Sequence, residues 1–165
     1  MDDLNLIGTP EEPTKIANYL KKEFEMKDLG KTRYCLGLQI EYCSNDILVH
    51  QSIYIEKVLK RFYIDKLHLV NSLMVVCSLK VNQDPFRLKG ENEELFGPKV
   101  PYLSAISALI YLTSWTRPDI TFSINLLARY SSIPIKKHWN EIKHILRYFC
   151  GTSDMSLYNS KESKS

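Results

Sequence analysis

Apolar positions along the chain change period several times, and each change marks an element. Residues 4–8 read as a short apolar strand closed by a turn residue, Gly8. A helix is predicted between 10 and 25. There Ile16, Leu20 and Phe24 recur every four residues with Ala17 on the same side, while Lys15, Lys21, Lys22 and Glu23 fall mostly elsewhere. Thr9 and Glu12 have capping-box spacing and Pro10 suits a first turn, with Pro13 an alternative start. Asp28-Leu29-Gly30 closes this unit. From residue 33 the period is two. Tyr34, Leu36, Leu38, Ile40 and Tyr42 point one way, and Arg33, Cys35, Gly37, Gln39 and Glu41 the other. Ser44-Asn45-Asp46 supplies turn chemistry and residues 47–49 return, so a β-hairpin is expected. Gly37 within a strand implies close approach of a backbone or ligand, or else a bulge.

From residue 52 the period becomes helical. Ile55, Val58, Leu59 and Phe62 form one stripe, with Lys57, Lys60 and Arg61 opposite. Residues 63–99 show no clear period. A short apolar patch at 73–76 precedes a polar, turn-rich stretch at 82–98, expected to be a linker or long surface loop. Residues 102–114 are apolar almost all round, which predicts a buried helix. Thr116-Arg117-Pro118-Asp119 stops that helix and starts another over 120–130, with Asp119 at capping-box distance from Thr116. Ile133-Pro134 breaks it. A third helix is predicted over 136–150, ending at Gly151. On it Trp139, Ile142, Ile145, Leu146 and Phe149 share one side, and Lys136, Lys143 and Arg147 form a narrow row on the other. Such a row suits a phosphate backbone, and it is also what a solvated helix face looks like. Trp115 and Trp139 read as core anchors rather than base-stacking platforms.

Composition adds bounds. The 165 residues, 44% hydrophobic and 25% charged, suit one ordinary domain or two small ones. The net charge of +3 is unevenly spread. Residues 1–30 hold four lysines against seven carboxylates, and residues 129–150 hold five Lys/Arg against one Glu. An acidic front and basic back suit metal at one end and phosphates at the other. Cys35, Cys43, Cys77 and Cys150 show no Cys-x-x-Cys spacing, which implies reduced and mostly buried thiols. With no charged-then-apolar leader and no long apolar run, the expectation is an intracellular, cytoplasmic protein, neither secreted nor membrane-bound. His138 and His144 are six apart and do not share a helix face, which argues against a joint metal role. There is no nucleophile-elbow serine and no Gly-rich phosphate loop.

The most suggestive chemistry is at the start, where Asp2 and Asp3 are adjacent and precede an apolar segment. Paired acids there could hold divalent metal, or could be a solvated acid cluster. Further pieces follow in order: Leu20-Lys21-Lys22-Glu23-Phe24-Glu25-Met26-Lys27-Asp28-Leu29-Gly30; Leu36-Gly37-Leu38-Gln39-Ile40; Tyr54 through Phe62; Tyr102-Leu103-Ser104; Thr116-Arg117-Pro118-Asp119-Ile120; and His138-Trp139 through Tyr148 to Gly151-Thr152. Together they resemble the C-terminal half of the reverse transcriptase of copia-type retrotransposons, part of their Pol polyprotein.

That resemblance implies an α+β chain in which a palm remnant of strand, helix and hairpin precedes a mainly helical thumb and connection region. Residues 1–50 would be the end of the palm with a primer-grip hairpin, and 51–100 the first thumb-like helix and a linker. Residues 101–152 would be the helical thumb and connection region, and 153–165 a tail leading toward a ribonuclease H domain. It implies RNA-directed DNA synthesis by two-metal nucleotidyl transfer, with Asp2 and Asp3 as catalytic, Mg2+-holding residues. Leu36, Gly37, Lys57, Lys60, Arg61, Lys136, Lys143 and Arg147 would contact the RNA template and DNA primer. The Tyr that precedes the family's acid pair, its third metal-binding Asp and its fingers have no counterpart in these residues. The expectation is therefore a fragment inactive alone, with the preceding part of the polyprotein as a partner. A non-catalytic nucleic-acid-binding module and a decayed transposon relic are the alternatives. Departures are Ser72-Leu73-Met74, where the family has Thr-Pro-Met, and Cys77, where relatives carry Arg.

Overall fold

The structure is a computed structural model, and it describes residues 4–9, 11–64, 70–73 and 101–160. The first helix, α1 (Glu11–Glu23), starts where the capping spacing predicts. The Glu12 carboxylate accepts from the Thr9 backbone N–H at 3.2 Å and from its hydroxyl at 3.0 Å, satisfying a donor ahead of the first turn. Pro13 lies inside that turn. The unit closes in an Asx-type turn: Gly30 N–H donates to Asp28 at 2.9 Å, with Gly30 at φ +73°. The Gly30 N–H first, then Lys21 at 3.0 Å, holds the Asp28 carboxyl below its usual range. Yet α1 buries no residue, and Ile16 of its apolar stripe stays 46% exposed.

The strand expected at 4–8 does not form. Leu4 and Ile7 are exposed, and the segment has no neighbour in the sheet. A strand needs a partner to satisfy its backbone groups. Asn5 uses its side chain instead, accepting from the Thr32 hydroxyl at 2.8 Å and donating to Cys35 Sγ at 3.3 Å.

Among the described residues four antiparallel strands make one sheet in the order β1 (Tyr34–Cys35), β2 (Leu38–Tyr42), β3 (Asp46–His50), β4 (Leu157–Ser160). The expected hairpin is β2–β3, with Ile40 opposite Val49 and Tyr42 opposite Ile47. Two differences matter. The stretch 34–42 is not one strand, because the chain reverses at Leu36-Gly37 and pairs Cys35 with Leu38 and Tyr34 with Gln39. Tyr34 therefore lies on the face opposite Leu38, Ile40 and Tyr42. Residues 157–160, expected in a tail, return instead as β4 and pair with β3, Val49 opposite Leu157. Cys43, expected to be buried, is exposed.

Among the described residues four helices hold the core: α2 (Ser52–Arg61), α3 (Tyr102–Trp115), α4 (Thr121–Ala128) and α5 (Lys136–Gly151), with a 3-10 turn (Pro118–Ile120) before α4. Ile55, Leu59, Leu109, Leu112, Ile124, Leu127, Ile142, Leu146 and Phe149 meet there. Helix α3 is buried on one side only. Leu103, Ile110 and Trp115 are exposed, so Trp115 is not the anchor its hydrophobicity suggested. The linker predicted at 82–98 lies outside the described residues.

The turn between α3 and α4 is not the capping box its spacing suggested. The Thr116 hydroxyl donates to Gln51 Oε1 at 2.7 Å, and Asp119 is taken by Arg117. Arg117 is fully buried. Its guanidinium grips Asp119 with two hydrogen bonds of 3.0 and 2.8 Å and donates to the Thr152 carbonyl (3.0 Å) and hydroxyl (2.9 Å). It also stacks over Phe149 at 4.5 Å. A cation at the last carbonyls of α5 complements that helix end. Burial raises the Asp119 carboxyl, but the hydrogen bonds and charge of Arg117 outweigh it and leave the group below its ordinary value.

Candidate nucleic-acid interface

The residues expected to contact nucleic acid fall into two groups. The first is the β1–β2 turn. Leu36 and Gly37 have φ +49° and +74°, so both central residues are left-handed, as the tight turns that match sheet twist require. Gly37 adopts this freely, whereas Leu36 is strained. The tip is fastened from behind. Tyr111 of α3 donates its hydroxyl to the Leu36 carbonyl, and a Cβ on Gly37 would lie 3.1 Å from that oxygen. Tyr54 of α2 meets the Tyr111 ring edge-on at 4.9 Å. Burial, with Tyr111 adding to it, pushes the Tyr54 hydroxyl up. A second tie holds the sheet to α2, where Ile53 N–H donates to Gln39 Oε1 at 3.0 Å. The Leu36 side chain remains 68% exposed.

The second group is the cations of α2 and α5. Lys57, Lys60 and Arg61 are exposed on α2, where Lys60 pairs with Glu56 at 3.0 Å. On α5 Lys136 is exposed, and Lys143 and Arg147 are half-buried. The helices meet at an aromatic seam, Phe62 against Trp139 with centroids 6.4 Å apart. Arg61 lies 5.7 Å from the Phe62 ring and Lys143 5.8 Å from the Trp139 ring, so the structure brings one cation from each helix to this seam. Tyr54 and Phe62 stand eight residues apart, so the tip and the seam are separated by roughly 12 Å along α2.

The remaining site residues, Asp2 and Asp3, lie outside the described residues. Asn5, two residues on, is bonded to Thr32 and Cys35 beside β1. Among the described residues no three His, Cys, Asp or Glu side chains cluster to hold a metal. His144 binds the Ser72 carbonyl at 2.8 Å, and His138 is buried in a stack on Tyr130 at 4.1 Å. Among the described residues no helix is long and apolar enough to cross a membrane.

Sequence reasoning passed over Tyr111 and Tyr54. The available signal was a phenol in the middle of an apolar helix, since a tyrosine hydroxyl in such surroundings usually finds a partner.

A chain with a sheet-borne turn and a cation-lined helical body has relatives among proteins of mobile elements. It is 35% identical over 156 residues to the retrovirus-related Pol polyprotein from transposon TNT 1-94 of Nicotiana tabacum, an alignment covering 93% of this chain. It is 27% identical over 166 residues to the Pol polyprotein from transposon RE2 of Arabidopsis thaliana. It is also 31% identical, over 99% of its length, to an uncharacterized mitochondrial protein of Arabidopsis thaliana. The chain is thus similar to part of the Pol polyproteins of copia-type retrotransposons. It spans 12% of the tobacco polyprotein, 10% of the RE2 polyprotein and 65% of the mitochondrial protein. No protein-family model and no solved structure matches it.

Proposed function

We propose that residues 1–165 form the C-terminal palm and thumb-like portion of a copia-type reverse transcriptase, an RNA-directed DNA polymerase. In this reading the Leu36-Gly37 tip meets the 3′ end of the DNA primer. Lys57, Lys60, Arg61, Lys136, Lys143 and Arg147 meet phosphates of the primer–template duplex. The observation that carries the reading is the alignment of 93% of the chain with a retrotransposon Pol polyprotein. The geometry supports it: a backbone turn held rigidly from behind, with its side chain outward, suits contact with a strand end, and exposed cations suit a polyanion.

Asp2 and Asp3 would hold the divalent cation. Adjacent hard carboxylate oxygens fit Mg2+, which when bound neutralises charge on a transferring phosphoryl group. In the family this chain resembles, a third carboxylate completes the site, and residues 1–165 supply two. Alone they are therefore expected not to extend a primer. Purified chain, a primed RNA template, nucleotides and Mg2+ should give no extension above a blank. Robust extension abolished by Asp2→Asn would overturn that expectation.

A second reading, a nucleic-acid-binding module without catalysis, is favoured by the cations gathered at the Phe62–Trp139 seam, which need no metal. It predicts affinity falling steeply with salt, and a uniform loss across sequences on joint charge reversal of Lys136, Lys143 and Arg147. Unchanged binding after that reversal would mark the row as a merely wet surface.

A further inference from the structure

We propose that Tyr111 is the positioning residue of the hairpin tip: from α3 it sets the backbone of Leu36-Gly37 in the conformation that receives a primer end. The inference rests on the reading of the tip as a primer contact and adds a residue to it.

Three observations converge on Tyr111. Its hydroxyl donates to the Leu36 carbonyl, 75 residues away in sequence. Leu36 is a bulky residue at φ +49°, a conformation that persists only where surroundings enforce it. Gly37 leaves room for the phenol oxygen, since a Cβ there would sit 3.1 Å from it. The ring cannot easily swing away, because Tyr54 packs edge-on against it at 4.9 Å. Sequence-local cues do not set this turn. Leu-Gly lacks the Asn or Asp that usually makes a two-residue turn self-sufficient, so the tertiary contact does so. The consequence is division of labour. Tyr111 takes up the Leu36 carbonyl on the protein side, while the Leu36 side chain and the outer edge of the turn stay free for the strand end. Tyr111 acts through the turn and is not itself a contact residue.

Tyr111→Phe keeps the ring, and with it the Tyr54 contact, and removes only the hydroxyl. Two measurements on the full 165-residue chain separate the proposal from the reading beneath it. The first is amide hydrogen exchange at residues 35–38 without nucleic acid. The variant should exchange faster there, and amides of α5 should be unaffected. The second is fluorescence anisotropy with a primer–template carrying a recessed 3′ end, compared with a blunt duplex of equal length. The parent should prefer the recessed end. The variant should lose about fivefold of that preference, the factor expected for one ordinary hydrogen bond, with its blunt-duplex affinity, salt slope and melting temperature kept. A purely structural role would lower the melting temperature and spare the preference. Unchanged exchange at the tip overturns the role of Tyr111 whatever the binding shows. Faster exchange with the recessed-end preference intact overturns the link from posture to primer. A parent without any such preference overturns the primer reading itself, and the positioning role with it.

Discussion

The two ends of this chain are built to different standards. From Gln51 onward, α2 to α5 enclose a core in which Leu109, Leu112, Ile124, Leu127, Ile142, Leu146 and Phe149 have no solvent exposure. Among the described residues before Gln51, none is fully buried. Yet the front sequence is as patterned as the back, since α1 has a clear apolar stripe and β2–β3 alternate. Amphipathicity therefore states what an element could bury, while stability depends on whether something covers it. The helical body carries the fold. Among the described residues the sheet is tied to it through Gln39 and Leu36, and α1 buries no residue.

The sharpest way to break this contrast is to cut into each half. Arg117→Ala should be the most damaging change, costing roughly 3–5 kcal/mol, because it strips the charged partner from partly buried Asp119 and releases the end of α5. Leu109→Ala should cost about 2–5 kcal/mol by opening a cavity among α3, α4 and α5. Ile16→Ala on α1, an equally apolar residue in an equally regular helix, should stay within about 0.5 kcal/mol. Urea denaturation followed by circular dichroism reads all three. A loss of several kcal/mol for Ile16→Ala would mean that α1 is packed and the contrast wrong.

Gly37→Ala tests the join between the halves. The left-handed backbone alone should cost about 1–2 kcal/mol, and the crowding against Tyr111 adds to it. In a Tyr111→Phe background part of that cost should vanish, because the oxygen that the new methyl meets is gone. Additive effects in this double-mutant cycle would show that the contact does not bear on the tip.

The acid limb of stability gives a smaller, signed test. The folded-state value of Asp119 is lowered relative to the unfolded chain, in spite of burial, by Arg117. Its contribution is thus fully present above the unfolded value, about 3.9, and drains away as pH falls through the folded value. Asp119→Asn should flatten the pH dependence of unfolding free energy below pH ~4, besides lowering stability at neutrality by leaving Arg117 unmatched. An unchanged acid slope would place the titrating group elsewhere.

What could be read in advance follows the same contrast. The stripes of α2 and α5 were legible because a period of 3.6 records burial directly, and the Thr9–Glu12 cap because its partners are three residues apart. The reversal at Leu36-Gly37 was hidden. The apolar alternation of 34–42 runs on across the turn, and Leu is a rare left-handed residue, so nothing local announces that Tyr34 changes face. β4 was hidden because its partner lies some 110 residues earlier and its own residues are exposed. The Arg117 cluster was misread as a helix cap. Thr116 and Asp119 have the right spacing for one, but Thr116 is claimed by Gln51, 65 residues earlier, and Asp119 by Arg117, whose guanidinium is anchored on Thr152, 35 residues later. Local chemistry predicts local partners, and the errors concentrate where long-range partners take over. The hairpin tip is such a place: Gly37 was legible as a point of close approach, and Tyr111, which makes that approach, was not.

The smallest expected effect on the fold separates surface from scaffold. Lys60 pairs with Glu56 at 3.0 Å across one helical turn, with side chains 74% and 56% exposed. In such a pair water screens most of the attraction, so Lys60→Ala should change stability by no more than about 0.5 kcal/mol. If the cations of α2 face phosphates, the same substitution should lower the salt dependence of nucleic-acid binding by about one unit of slope, since each neutralised phosphate releases its own counterion. A residue nearly silent in urea and visible in the salt titration belongs to an interface. One silent in both decorates a wet helix face, and the interface would then have to be sought along α5, where Lys143 is held beside Trp139.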